Sequence, residues 1–253
     1  MISTKKIGAV ISTSILFSGL ISNIAFAAPK PSTKPVAATP TPAPSGTPKV
    51  VNISCSPTTA HGDNAAEYKA RRSAIQKPKV QKFTKNKVFT LTTNCGEIVI
   101  ETYSKSAPVT TSMIAGLING KFYDKTICHR MIYSQSAALL QCGDPTASGY
   151  GGPSFQFNDE NLPKAQLNNY PIGTVAMANS TQVVDGVLTN QNSNGSQFFI
   201  MAGDTTLDPF YTVWGKVTKG LEIVQAVVNN GTTDGQSVGQ PKFALAIEKA
   251  SVR

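Results

Sequence analysis

The sequence predicts a mainly β protein: an antiparallel sheet closed, or nearly closed, into a barrel with helices capping its ends. Three observations carry that expectation. Short strand-like runs recur between Val88 and Ile247, most of them bounded by Gly, Asn or Pro. Only two stretches, after Pro108 and after Leu221, space their apolar residues for a helix. Finally, 40% hydrophobic and 15% charged residues over 253 positions suit a globular body with a sizeable core and exclude a disordered chain. Many short strands with few helices fit a closed sheet better than alternating β and α layers.

The N-terminus stands apart from that body. Lys5 and Lys6 precede an apolar run from Ile7, and Ala25-Phe26-Ala27 places small residues before Ala28-Pro29. This is the three-part form of a secretory signal, so residues 1–27 predict export of a secreted or membrane-anchored bacterial protein. An uncleaved anchor is the alternative, because the apolar run is nearly long enough to span a bilayer. Residues 28–48, built from Pro, Ala, Thr, Ser and Lys, read as an extended spacer.

Residues 49–87 receive no fold of their own and read as a basic extension. They hold Lys69, Arg71, Arg72, Lys77, Lys79, Lys82, Lys85 and Lys87, much of the excess behind a net charge of +9. Without interleaved stacking aromatics, this run is a poor nucleic-acid surface. It reads instead as a solvated arm, able to rest against a membrane or cell wall.

From Val88 the pattern becomes regular. Val88 to Thr93 and Glu97 to Glu101 alternate on either side of Asn94-Cys95-Gly96, a β-hairpin. Pro108 opens a helix that Asn119-Gly120 ends. Cys128 to Ile132 and Leu139 to Asp144 read as paired antiparallel strands, which sets Arg130 beside Gln141. A glycine loop follows at Gly149, Gly151 and Gly152. Residues 172–178, 197–201 and 212–217 are further strands; Leu221 to Asn230 is the second helix, and Phe243, Leu245 and Ile247 alternate in a last strand.

Four cysteines in an exported chain predict two disulfides, with three possible pairings. Pairing of the Arg130 and Gln141 strands favours Cys128 with Cys142 and leaves Cys55 with Cys95. Close Cys or His pairs of the zinc type are missing from the spacing, so no metal is expected.

Arginine offers five fixed donors and glutamine a donor and an acceptor on one amide, a pair suited to gripping a peptide backbone. Neither is a nucleophile or a good proton shuttle. The chemistry expected of them is binding and polarisation, without a cofactor. Residue by residue the ordinary readings are plain: Trp214 in the core, Phe198 and Phe199 divided between core and pocket, His129 in a structural hydrogen bond.

Seven motifs in order then resemble one family. They are Phe122-Tyr123-Asp124, Cys128-His129-Arg130, Gln141 to Thr146, Gly151-Gly152, Gly173 to Asn179, Asn194 to Ile200 and Val213 to Val217. Together, over about residues 88–253, they resemble the cyclophilin peptidyl-prolyl isomerases, and the four cysteines resemble the exported bacterial members. The resemblance implies an eight-stranded antiparallel barrel with two helices. It implies that Arg130 is catalytic, that Gln141, Ala178, Asn179 and Gln197 bind substrate backbone, and that Leu139, Phe199 and Leu207 wall a proline pocket. Tyr211 stands where many members carry histidine. A monomer acting on proline-containing segments of exported proteins is the expectation.

Three departures bear on activity. Ala138 replaces a common phenylalanine, Thr206 a tryptophan associated with cyclosporin binding, and the stretch Ser180 to Ser193 is long. They keep open a second reading, a weakly catalytic or non-catalytic proline-peptide-binding module. A third is a wall-binding protein that acts through its basic arm.

Overall fold

The computed structural model describes residues 53–253. The signal and spacer expected over residues 1–48 lie outside the described residues. In chain order the elements are α1 (Ala65–Ser73), β1 (Val88–Thr93), β2 (Gly96–Thr102), α2 (Pro108–Asn119), β3 (Thr126–Ile127), β4 (Arg130–Tyr133) and β5 (Ala138–Cys142). There follow β6 (Thr174–Met177), β7 (Gln182–Val184), β8 (Val187–Thr189), β9 (Phe198–Met201), β10 (Val213–Lys219), α3 (Leu221–Asn229), β11 (Val238–Gly239) and β12 (Ala246–Val252).

Ten of these strands form one antiparallel sheet in the order β11-β4-β5-β9-β6-β10-β2-β1-β12-β3. Its two ends belong to neighbouring stretches of chain. β3 is one edge, β4 lies next to the other, and only Cys128 and His129 separate them in sequence. The sheet must therefore curl until its ends nearly meet. No ladder joins β3 to β4, so the eight-stranded closed ring with two helices becomes, among the described residues, a curled ten-stranded sheet with three helices.

The core fills the inside of the curl. Phe89, Ile98, Ile100, Met131, Leu140, Phe198, Ile200 and Trp214 meet Met113, Ile114 and Leu117 of α2 and Val224 and Val227 of α3. Trp214 lies in this core, with Phe89 and Phe198 beside its ring at 5.8 and 5.9 Å. Removing such residues from water is the main favourable term in folding, at roughly 25 cal/mol per Å² of apolar surface.

The basic extension is less solvated than its composition implies. Asn64 caps α1, accepting from the Glu67 N–H while Glu67 accepts from the Asn64 N–H. α1 itself has no buried residue. It is held by its surroundings. Arg71 pairs with Asp63 and donates to the carbonyls of Phe122 and Asp124. Just beyond it Ile75 is 5% exposed and belongs to the core. Pro78 and Ile75 lie where side chains at Gly116 and Gly120 would stand, so these two glycines give the arm its seat on α2.

Candidate functional site

The site is built on the outer face of β4, β5, β9 and β6. Side chains alternate across a strand, so neighbouring residues serve opposite purposes. On β9, Phe198 and Ile200 enter the main core, while Phe199 and Met201 join a second, smaller apolar cluster. The antiparallel register places Arg130 opposite Gln141, Gln141 opposite Phe199 and Phe199 opposite Ala176. One row across the sheet thus runs from a cation through an amide to an apolar floor.

Arg130, Gln141 and Gln197 form a directed chain of hydrogen bonds. The Arg130 guanidinium donates to Gln141 Oε1 at 3.1 Å, and Gln141 Nε2 donates to Gln197 Oε1 at 2.8 Å. Gln197 Nε2 then donates to the carbonyls of Gly149 and Gly151, each at 2.9 Å. Its direction cannot reverse, since arginine only donates and a carbonyl only accepts. Burial lowers the Arg130 pKa from its ordinary value and Tyr211 opposes that, but a guanidinium stays charged at any neutral pH.

The second cluster gathers Leu139, Tyr170, Ala176, Phe199 and Met201, with Ile132, Ala178, Leu207, Tyr211 and Val213 packed around them. Leu207 and Tyr211 come from a loop that needs bracing. Asn169 exchanges two hydrogen bonds with Leu207, and Tyr170 donates to the Tyr211 carbonyl and accepts from its N–H. The Phe199 and Tyr211 rings meet edge to face at 5.4 Å. Burial, with Asp208 nearby, pushes the Tyr211 hydroxyl pKa up despite Arg130, so this phenol is neutral at physiological pH.

Asn179 turns inward. Its amide donates to the Phe210 carbonyl and to Asp159, and its oxygen accepts from the Thr181 N–H. That leaves its backbone as the part free to meet a ligand. The stretch after it is a separate hairpin, β7 paired with β8 across a turn at Asp185-Gly186, where both residues have positive φ. Its stem residues Ser180 and Ser193 border a cavity of about 340 Å³ beside the groove, which shares Gln141, Ala178 and Gln197 with it.

A disulfide fastens the ends of β4 and β5. Cys128, two residues before Arg130, bonds to Cys142, the residue after Gln141; the other bridge joins Cys55 to Cys95 and so anchors the start of the extension. Between Cys128 and Arg130, His129 is buried with neither ring nitrogen meeting a protein partner, so the structural hydrogen bond expected of it is not formed. Burial lowers its pKa, Asp144 opposes the shift and Arg130 adds to it. Among the described residues no group of three acidic, His or Cys side chains lies together as a metal site would require.

The family description "Cyclophilin type peptidyl-prolyl cis-trans isomerase/CLD" matches residues 88–252. The chain belongs to the cyclophilin family. Among curated relatives, a probable peptidyl-prolyl cis-trans isomerase B of Mycobacterium leprae is 36% identical over 168 residues, which cover 62% of this chain and 54% of that protein. The corresponding Mycobacterium tuberculosis protein is 36% identical over 169 residues, covering 51% of its length. This cyclophilin therefore spans about half the length of these relatives. A Dictyostelium discoideum peptidyl-prolyl cis-trans isomerase, cypE, is 40% identical over 161 residues, 62% of this chain and 94% of that protein. A solved Cryptosporidium parvum cyclophilin, 23% identical, shares the fold with a TM-score of 0.53 over 66% of this chain and 98% of its own.

Within this cyclophilin the sequence motifs brought most site positions together, but not their supports. Asn169 and Tyr170 lie outside every motif, and their sequence carries no periodic signal for a brace. Met201 could have been found, since it sits two residues from Phe199 on the same strand, and Ala176 lies opposite Phe199 on the next.

Proposed function

We propose that this cyclophilin is an exported peptidyl-prolyl cis-trans isomerase that speeds rotation about X-Pro bonds in secreted or wall-associated proteins and so assists their folding. One observation carries the reading. A charged guanidinium, held by an amide rather than by a base, stands one strand away from an apolar cluster on the same face of the sheet.

The chemistry needs no cofactor. Resonance in the amide opposes rotation by ~18–20 kcal/mol, and uncatalysed prolyl isomerisation takes ~10–100 s. In the twisted transition state the nitrogen regains its lone pair. A fixed donor such as Arg130 then binds that state more strongly than either planar isomer. Reaching about a millisecond requires roughly five decades, or about 7 kcal/mol. In this reading Leu139, Phe199, Leu207 and Tyr211 receive the proline ring and exclude water. Gln141, Gln197 and the backbone of Ala178 and Asn179 hold the flanking peptide. The isomerase domain at residues 88–253 belongs to the same proposal, as do the signal at residues 1–27 and a membrane or wall position. The two disulfides support a place outside the reducing cytoplasm.

The test is exchange NMR on a short X-Pro peptide with the full chain and its Arg130→Ala variant. The chain should accelerate exchange, and the variant should lose about 10²–10³-fold, the usual cost of removing one transition-state donor. Binding shifts without acceleration by the unaltered chain would refute the enzyme and leave a proline-peptide-docking module.

A further inference from the structure

The cavity beside the groove has a wall that does not come from the matched region. Tyr68 and Arg72 of α1 line it, opposite Gln141, Gln197, Gly152 and Asn179. α1 is attached there by a reciprocal pair: the Tyr68 hydroxyl donates to the Gly152 carbonyl at 2.8 Å and accepts from the Gly152 N–H at 2.7 Å. The helix is therefore locked to the glycine loop on which the Gln197 amide also rests.

Arg72 is the one charged side chain in the lining. Its guanidinium stands 5.4 Å from the Tyr68 ring centre, and its single contact to a protein acceptor is a long one, Nη2 to the Pro153 carbonyl at 3.5 Å. Nε is buried without a partner. Among the described residues no carboxylate forms an ion pair with Arg72, whereas its neighbour Arg71 is held by Asp63. Asp144 and Asp159 hydrogen-bond to lining residues, but neither lines the cavity; Asp144 is occupied by donors of its own loop and Asp159 by Asn179, Asn192 and Asn194. Lys77, over the Phe155 ring at the same wall, adds positive potential without entering.

We infer that this cavity is a subsite for an acidic side chain of the client peptide, read by Arg72 from the N-terminal extension. A half-buried guanidinium whose terminal nitrogens meet only one long acceptor is best satisfied by a carboxylate, which can accept from two of its nitrogens at once. The site shares Gln141 and Gln197 with the groove, so its occupant is a residue close to the proline on the same extended chain, which advances about 3.3 Å per residue. The inference deepens the isomerase reading and rests on it for the proline in the groove. The extension then acts as a selector, setting which X-Pro bonds are served.

The experiment uses the full chain and a set of single-proline peptides carrying glutamate or glutamine at each of three positions on either side of the proline. Exchange NMR gives kcat/KM, and peptide shifts in the same spectra give binding. At one or two adjacent positions glutamate should be preferred over glutamine by about tenfold, and the preference should shrink in 0.5 M salt. Arg72→Gln should bring the ratio near one, and Arg72→Glu should invert it, so that glutamine is preferred over glutamate. A ratio near one at all six positions in the unaltered chain overturns the inference, as does a preference that survives Arg72→Gln. Failure of the isomerase reading looks different: the glutamine peptides would bind without faster exchange, and the acid preference would still be read from the shifts.

Discussion

Exchanging Gln141 for glutamate replaces one heavy atom, Nε2 by oxygen, and sets the whole hydrogen-bond chain against itself. The new carboxylate still accepts from Arg130, but it presents oxygen where Nε2 had donated to Gln197 Oε1. Gln197 can flip to donate back, and its oxygen then faces the carbonyls of Gly149 and Gly151. Every arrangement leaves acceptor against acceptor. One bond is lost without a flip and two with it, each worth about 1 kcal/mol, with a further 1–3 kcal/mol for a polar group left unsatisfied. Both amides are half-buried and water relieves part of this, so the net cost is about 2 kcal/mol. The glutamate also ties Arg130 in an ion pair. Gln141→Glu should therefore lower kcat/KM in the exchange assay by about 30-fold, and Tm by about 4–8 °C. Activity within threefold of the unaltered chain would show that the Arg130 donor is ordered by something other than this chain, and the reasoning would fall.

Other perturbations reach the supports. Replacing Cys128 and Cys142 together by serine opens a bridge across 14 residues and should cost about 3 kcal/mol, read as a fall in the urea midpoint; an unchanged midpoint would mean that the β4–β5 ladder suffices alone. Ile75→Ala should weaken the seat of the extension by about 2 kcal/mol, so limited trypsin digestion should cut sooner between Lys77 and Lys87, and equal cutting rates would contradict the docked arm. His129, with its pKa held below the ordinary 6.5, binds its proton more readily in the unfolded chain. Its share of stability is present above pH 6.5 and is lost as pH falls through the lowered folded value, so Tm should drop between pH 7 and 5, and less so in His129→Gln. The same slope in both proteins would remove His129 as its cause. Asp144, kept low by N–H and hydroxyl donors against its burial, acts in a separate and more acidic window. Thr206 stands at the position of the tryptophan associated with cyclosporin binding, and its hydroxyl accepts from the Asn168 N–H, so a cyclosporin titration should show weak binding; a tight complex would contradict this.

What the sequence made legible follows from how local its signals were. Alternation in Phe198-Phe199 set the two on opposite faces of the sheet, because period two is intrinsic to a strand, and only the register of the motifs said which faced the main core. The register of Arg130 with Gln141 followed from two runs close in sequence. β3 and β11 were not legible: two-residue strands have no period, and their partners lie far along the chain. α1 was missed for another reason. Its apolar face is nearly absent, and the readable signal was the Asn64 and Glu67 capping pair, which marks a helix start without hydrophobic spacing. Gly116, inside α2, makes the room that Pro78 occupies.

The Cys55–Cys95 bridge bears on the selector in a way that contacts alone do not. α1 has no buried residue to hold it by its own burial, so its docking depends on how often it meets the body. The bridge fixes the chain ten residues before it to the turn of the first hairpin, and Ile75 fixes it just beyond. Tethered at both ends, α1 experiences the body at an effective concentration of the order of millimolar, whatever the protein's dilution. Oxidising surroundings thus make the Arg72 wall a standing part of the groove, whereas reduction of one distant bond would leave it to the weaker grip of Ile75 and Tyr68.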